Sequence, residues 1–442
     1  MRTAVIGLGN SGLNAAILLK DMGHEVRVTE SCDSASVRKN IKSLEHKKIP
    51  YEIGHTKDFI SGSSLVVASP GVEESSQAMK WARKSKIQII SEMELGYRYC
   101  KGRIIAITGT NGKSTVTTLI GEMLKNGGVD SVVCGNIGNS LCGEIGRIEY
   151  GTWVVLEVSS FQLEKITDFK PNIAVILNIT DDHMDRYSKF SDYYNEKLKV
   201  FKNQDENDAL ILNHDALELN GLEKSARSRV LYYSRLAKTN GAYLKQDSLI
   251  YNQSGKEVQL CSVRDIGLKG LHNVENVLVS SLACMIAGLK PLYIKDTIRN
   301  FRGLSHRFET VATVKGVEYI DDSKGTTVDS TYRALQSCEK PVILIAGGKD
   351  KNSNYEAIKD LVKEKVRHLV LIGEARGRIK AALGPSVDTC EAATMDEAVK
   401  MASRLAGKNY IVLLSPMCSS FDMFSSYKER GNVFKKAVMA LK

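Results

Sequence analysis

The sequence predicts an α/β fold in three domains with mostly parallel sheets, and three observations carry that prediction. Short apolar runs alternate with helical patterns along the whole chain, which is the signature of strand–helix–strand units. Two separate glycine loops each follow a strand and open a helix. The 442 residues amount to about three domains at roughly 150 residues each. Joints are expected near Tyr97–Gly102 and near Arg302–Glu309, which gives domains 1–98, 99–303 and 304–442.

Composition narrows the function. Hydrophobic residues make up 43% and charged residues 25%, ordinary for globular domains, so wholesale disorder is excluded. No apolar run reaches the roughly 18 residues of a membrane-spanning helix. The N-terminus enters a glycine motif within a few residues, so no signal peptide is expected. Nine scattered cysteines without a Cys-x-x-Cys pair suggest reduced thiols and a cytoplasmic protein. Lys and Arg number 61 against 51 Asp and Glu, a formal charge of +10. No basic block or aromatic-interleaved patch accompanies it, which favours small phosphorylated ligands over nucleic acid.

The first strand, Thr3–Ile6, leads into Gly7-Leu8-Gly9-Asn10-Ser11-Gly12 and a helix that stops at Gly23. The next strand, Glu25–Thr29, ends at Glu30. Glycines in this context let backbone amides approach a diphosphate at a helix N-terminus, and an acidic residue at this offset can accept hydrogen bonds from ribose or base. A dinucleotide cofactor, as in an NAD-dependent oxidoreductase, is one reading. Tight strand–helix packing alone is another. The unit is short for two mononucleotide-binding halves.

A second loop, Thr108-Gly109-Thr110-Asn111-Gly112-Lys113-Ser114-Thr115, follows the strand Arg103–Ile107 and opens a helix ending at Gly127-Gly128. Its amides and the helix dipole suit β- and γ-phosphates. Lys113 adds a point charge, and the Ser114 hydroxyl can reach Mg²⁺. The common phosphate-loop pattern is only partly met, because Ile107 stands at its first glycine. Glu157 ends the apolar strand Val154–Leu156, where open α/β sheets present ligand residues, and it supplies an oxygen for the metal. The strand Ile173–Leu177 delivers Asn178 to Asp182 and then His183. Phe190, Tyr194, Lys197 and Phe201 recur at helical spacing, which puts Lys197 on an apolar face. Burial raises the neutral fraction of an amine. A neutral amine can take up carbon dioxide as a carbamate, which would make Lys197 a carboxylate-like Mg²⁺ ligand. A snorkelling lysine is the plainer alternative.

These stretches together resemble the Mur ligases of peptidoglycan synthesis. The resemblance rests on Gly-Thr-Asn-Gly-Lys-Ser-Thr (109–115), Glu-Val-Ser-Ser-Phe-Gln-Leu-Glu (157–164) and Asn-Ile-Thr-Asp-Asp-His-Met-Asp-Arg-Tyr (178–187). Further matching stretches at 69–72, 135–138, 270–276, 304–309, 321–326 and 415–422 run through all three domains in order. The resemblance implies a Rossmann-like N-terminal domain for a UDP-linked substrate, a P-loop ATPase-like centre and a Rossmann-like C-terminal domain for an amino acid. It implies an ATP-dependent ligase that works through an acyl phosphate with two Mg²⁺ ions. The implied substrates are UDP-N-acetylmuramoyl-L-alanine and D-glutamate. The implied setting is a monomer in the cytoplasm without nucleic-acid or membrane partners.

By the same resemblance, Lys113, His183, Lys197 and Arg307 are the catalytic set. ATP falls to Gly109, Thr110, Asn111, Gly112, Lys113, Ser114, Thr115, Asn273, Asn276, Arg307 and Asp322. The UDP-linked substrate falls to Asn10, Ser11, Gly12, Glu30, Ser31, Ser69, Gly71, Asn136, Ser159 and Gln162. Lys324, Thr326, Lys351, Ser420, Phe421 and Tyr427 fall where the family holds D-glutamate. Ser114, Glu157, His183 and carbamylated Lys197 would bind the metals. The chain departs from the family at Glu30, where Asp is usual, and at Thr327, Asn352 and Tyr427. A folylpolyglutamate-type ligase would share the ATP core but leaves the first glycine loop unused. An oxidoreductase leaves Lys113, Glu157, His183 and Lys197 unexplained. A silent nucleotide-binding module would release no phosphate.

Overall fold

The computed structural model describes residues 1–182, 186–268, 270–350 and 352–441, so His183 and Lys351 lie outside the described residues. The chain folds into three domains, each built on a mostly parallel sheet with helical crossovers. The first sheet comprises β1 (Arg2–Ile6), β2 (Glu25–Glu30), β3 (Tyr51–Ile53), β4 (Leu65–Ala68) and β5 (Gln88–Ser91), in the order β3-β2-β1-β4-β5. All its pairings are parallel. Val- and Ile-rich runs such as Leu65–Ala68 are buried throughout, as a sheet covered on both faces requires.

The second sheet has nine strands: β6 (Arg103–Thr108), β7 (Ser131–Gly135), β8 (Trp153–Glu157), β9 (Ile173–Ile176), β10 (Ala209–Asn213), β11 (Arg229–Ser234), β12 (Gly241–Lys245), β13 (Ser248–Gln253) and β14 (Lys256–Ser262). Their order is β14-β13-β12-β11-β10-β9-β6-β8-β7. The chain leaves β6 for one side and returns on the other, so β6 borders the topological switch point, where open sheets bind ligands. The third sheet contains β15 (Glu309–Val314), β16 (Val317–Asp321), β17 (Val342–Gly347), β18 (Val366–Ile372), β19 (Asp388–Glu391) and β20 (Ile411–Leu414), in the order β15-β16-β20-β17-β18-β19. Only the β15–β16 pairing is antiparallel.

By contacts the chain divides into two compact units. One contains Met1–Ile179, Ser191–Cys261 and Leu278–Thr297, and the other contains Thr180–Phe190, Ser262–Val277 and Ile298–Lys442. The first two sheets belong to the first unit and the third sheet to the second. Within the first unit, buried carboxylates on the helix Glu92–Tyr99 join the two sheets. Glu94 accepts hydrogen bonds from the backbone N–H groups of Thr167, Asp168 and Phe169, each at 3.0 Å, and from Arg98 Nε at 3.2 Å. Glu92 accepts one from Cys142 N at 2.7 Å, and burial pushes its carboxyl above the ordinary range. Asn14 Nδ2 donates to Asn139 Oδ1 (2.7 Å) and Ser140 Oγ (3.0 Å). No helix among the described residues is long and apolar enough to cross a membrane. The nine cysteines are all unpaired.

Candidate active site

The phosphate loop is built by glycines that other residues could not replace. Gly109 has φ +143°, and a Cβ there would lie 3.0 Å from Leu177 Cβ and 3.2 Å from Asn178 O. Gly112 starts the helix Lys113–Asn126 in the left-handed region, φ +86°. Asn178, at the end of the neighbouring strand β9, fixes the loop between them. Its carbonyl accepts from Thr110 N at 2.9 Å, its Oδ1 accepts from Asn111 N at 2.9 Å, and its Nδ2 donates to Asn111 O at 3.2 Å. Residue types in the sequence did not single out Asn178 for this work.

Two lysines converge on this loop. Lys113 Nζ donates to Gly109 O (2.8 Å) and Thr110 O (2.9 Å). Lys197 Nζ donates to the same Gly109 carbonyl at 2.9 Å and is 2% exposed. The amine lies 4.6 Å from the Tyr193 ring centroid, and Tyr193 Oη hydrogen-bonds Thr110 Oγ1 at 3.1 Å. Burial of Lys197 and Phe201 agrees with their helical spacing, but Phe190 and Tyr194 of the expected face are corrected. Tyr193, Val200 and Phe201 accompany it inside. Tyr194 is half-buried and donates to Glu218 O, and Phe190 is exposed. Tyr193, Lys197, Val200 and Phe201 stand at i, i+4, i+7 and i+8, so the buried stripe runs through Tyr193 and leaves Tyr194 at its border.

Glu157 ends β8, one strand from the loop, and pairs in register with Ile107 of β6. Its Oε1 accepts from Asn136 Nδ2 at 2.9 Å, while its buried Oε2 has no hydrogen-bond partner among the described residues. A buried carboxylate oxygen without a donor fits a hard cation. Ser114 and Thr115 are buried in the first turn of the adjoining helix. Ser159 and Gln162 cap the short helix Ser160–Leu163 reciprocally, Ser159 N donating to Gln162 Oε1 at 2.9 Å. The Gln162 side chain is therefore buried and engaged in the cap.

On the first sheet, Asn10, Ser11 and Gly12 open the helix Asn10–Asp21 beside β1, Glu30 ends the neighbouring β2, and Ser31 follows it. Ser69 and Gly71 follow β4, the other neighbour of β1. Gly12 packs so closely that a Cβ would sit 1.9 Å from Gly7 O. Ser69 Oγ donates to that same carbonyl at 3.0 Å. Glu30 folds back on the loop: its Oε2 accepts from Leu8 N at 2.6 Å and its Oε1 from Ser31 N at 2.6 Å. Burial alone would raise the Glu30 carboxyl, but these hydrogen bonds outweigh it and hold the group below its ordinary value.

The second unit carries the remaining candidates. Asn273 and Asn276 share one face of the helix Leu271–Ile286, joined by Asn276 Nδ2 donating to Asn273 Oδ1 at 3.0 Å. Asp322 is interior. It accepts from Ser415 Oγ at 2.7 Å and from Phe308 N at 3.2 Å, and burial pushes its carboxyl up to about 7. It thus fixes the backbone beside Arg307, whose charge offsets part of that rise. Lys324 and Thr326 follow β16, and Ser420 and Phe421 follow β20, its parallel neighbour. Lys324 Nζ lies 4.3 Å from the Tyr427 ring centroid. Ser420 is buried and Phe421 exposed. His306, Glu309 and Asp321 bring potential ligand atoms within 4.8 Å of one another. Lys435 already sits 2.7 Å from Glu309, and His306 Nδ1 donates to Asp321 at 2.7 Å, so this is an ion-pair network.

A glycine loop with two converging lysines, beside a carboxylate at a sheet switch point, defines a protein that handles nucleotide phosphates. The family models extend this. Residues 1–91 match the Mur ligase MurD-like N-terminal domain, 107–284 the Mur ligase middle domain, and 306–418 the Mur ligase glutamate ligase domain. A UDP-N-acetylmuramoylalanine–D-glutamate ligase of Koribacter versatilis is 42% identical over 439 residues, covering 99% of this chain and 97% of that one. A protein of the same description from Thermoanaerobacter pseudethanolicus is 38% identical over 447 residues, covering 100% and 98%. The UDP-N-acetylmuramate–alanine ligase MurC of Thermotoga maritima shares the fold at TM-score 0.62 and 18% identity, each chain covered in full. The chain belongs to the Mur ligase family.

Proposed function

We propose that this chain is an ATP-dependent ligase that joins D-glutamate to UDP-N-acetylmuramoyl-L-alanine, releasing ADP and phosphate, in the cytoplasmic synthesis of peptidoglycan precursors. The observation that carries the reading is the convergence of Lys113, Lys197 and the Asn178-held loop on Gly109, with an undonated Glu157 oxygen one strand away. Full-length relatives at 38–42% identity support the substrates. The three family-model matches support domains 1–98, 99–303 and 304–442.

A carboxylate acylates poorly, so its oxygen first attacks the γ-phosphorus of ATP and ADP leaves. The amine of D-glutamate then attacks the acyl carbon, and phosphate departs from the tetrahedral intermediate. The first step brings two anions together. The loop amides and Lys113 hold the phosphates and spread their charge. Ser114 and Glu157 would hold Mg²⁺, which would supply further neutralisation of the phosphates. A second ion would be held by His183 and by Lys197 as its carbamate, which would form when the neutral amine adds to carbon dioxide with loss of one proton. Asn10, Ser11, Gly12, Glu30, Ser31, Ser69 and Gly71 take the UDP moiety, with Asn136, Ser159 and Gln162 toward the acyl end. Asn273, Asn276 and Arg307 serve the nucleotide, with Asp322 setting the backbone beside Arg307. Lys324, Thr326, Lys351, Ser420, Phe421 and Tyr427 hold D-glutamate.

The test is phosphate release from ATP and UDP-N-acetylmuramoyl-L-alanine across a panel of D- and L-amino acids. Turnover with D-glutamate alone is expected. Turnover with an L-amino acid instead, or none with any, would overturn the assignment.

A further inference from the structure

Arg430 is the largest fully buried side chain in the described protein, 0% exposed, on the first turns of the helix Tyr427–Met439. Its four described hydrogen bonds all end on carbonyl or hydroxyl oxygens. Nε donates to Ser323 Oγ at 3.0 Å and Nη2 to Ser323 O at 2.7 Å. Nη1 donates to Cys418 O at 3.1 Å and Ser419 O at 3.3 Å. The two loops so joined follow adjacent parallel strands, β16 and β20. Each loop's next residue is one assigned to the amino acid: Lys324 after Ser323, and Ser420 after Ser419.

The surroundings are shaped around this contact. Ser323 Oγ, which accepts from Nε, donates to Tyr427 O at 2.8 Å, and the Tyr427 ring lies under the Lys324 amine. Gly348 follows β17, and a Cβ there would meet Ser419 O at 2.3 Å and Arg430 Nη1 at 3.0 Å. Lys349 N donates to Ser419 O at 2.9 Å, so the third loop of this edge joins the same knot. Burying a guanidinium against neutral acceptors is costly, and a well-packed apolar side chain commonly serves stability as well or better. What the planar fork adds is a fixed spacing between the backbones it bridges.

We propose that Arg430 is a positioning residue of the acceptor pocket. It sets the separation of Lys324 from Ser420 and so governs affinity for the incoming amino acid without touching it. This rests on the reading that those two residues hold D-glutamate.

The test is steady-state kinetics of Arg430→Lys, which keeps the charge but offers a single nitrogen to both loops. The KM for D-glutamate should rise at least tenfold while those for ATP and the UDP-linked substrate stay within twofold. Three KM values rising together, or an unchanged KM for D-glutamate in a variant with the wild-type urea midpoint, would overturn it. If Arg430→Lys fails to fold, Ser323→Ala removes the hydroxyl that accepts from Nε and donates to Tyr427 O, and leaves the other three guanidinium bonds in place. It should raise the D-glutamate KM three- to tenfold, and an unchanged value overturns the proposal. Wild-type turnover with another amino acid would refute the acceptor assignment alone, and the KM of that amino acid then decides the role of Arg430.

Discussion

Replacing Asn178 with Ala removes the two side-chain hydrogen bonds that hold Asn111 in the phosphate loop, at 2.9 and 3.2 Å. Asn178 is buried, and its backbone link to Thr110 survives the change. Two such bonds stabilise the ordered loop by about 1–3 kcal/mol together, at about 0.5–1.5 kcal/mol each. Nucleotide binding needs the ordered loop, so that energy reappears as weaker affinity, about 5- to 150-fold. The assay is calorimetric titration of ADP with Mg²⁺ into wild type and Asn178→Ala. The UDP-linked substrate should bind the first domain with its affinity nearly unchanged, which controls for unfolding. A change in ADP affinity below twofold would refute the claim that this side chain preorganises the loop.

Lys197→Ala should lose most ligase activity and regain part of it with added short carboxylates. Full turnover without any additive would remove the carbamate. Glu94→Ala leaves three backbone donors without their buried acceptor, so urea unfolding should show a loss of about 3–5 kcal/mol. A loss below about 1 kcal/mol would mean that the two sheets are joined by other contacts. Asp322 carries a carboxyl raised by burial to about 7, from 3.8. The folded state thus binds its proton more tightly than the unfolded state, so this group subtracts stability as pH rises from about 4 to 7. The subtraction is on the order of 4 kcal/mol and is complete above about pH 7. Asp322→Asn should therefore flatten the fall in stability over that window, and parallel pH profiles for the two proteins would show that the group does not titrate there.

Much of the site was legible because its signals are local. Gly7, Gly109 and Gly112 adopt φ of +92°, +143° and +86°, conformations that side chains resist, so the glycines announce both loops in one dimension. Glu157 was legible because an apolar strand runs directly into a carboxylate, and strand ends in parallel sheets face ligands. Lys197 was legible only in part. A period of 3.6 lets either Tyr193 or Tyr194 share its face, and the packing of the helix selected Tyr193.

By itself, then, the sequence determined where glycine loops follow strands and which charged residues stand at strand ends beside them, since backbone conformation and strand polarity are set over a few residues. Tertiary structure decided which side chains hold those groups still. Asn178 reaches Asn111 across 67 residues, and Arg430 reaches Ser323 across 107. No local pattern encodes such a partner, because the hydrogen bond exists only after separate strands have been laid side by side.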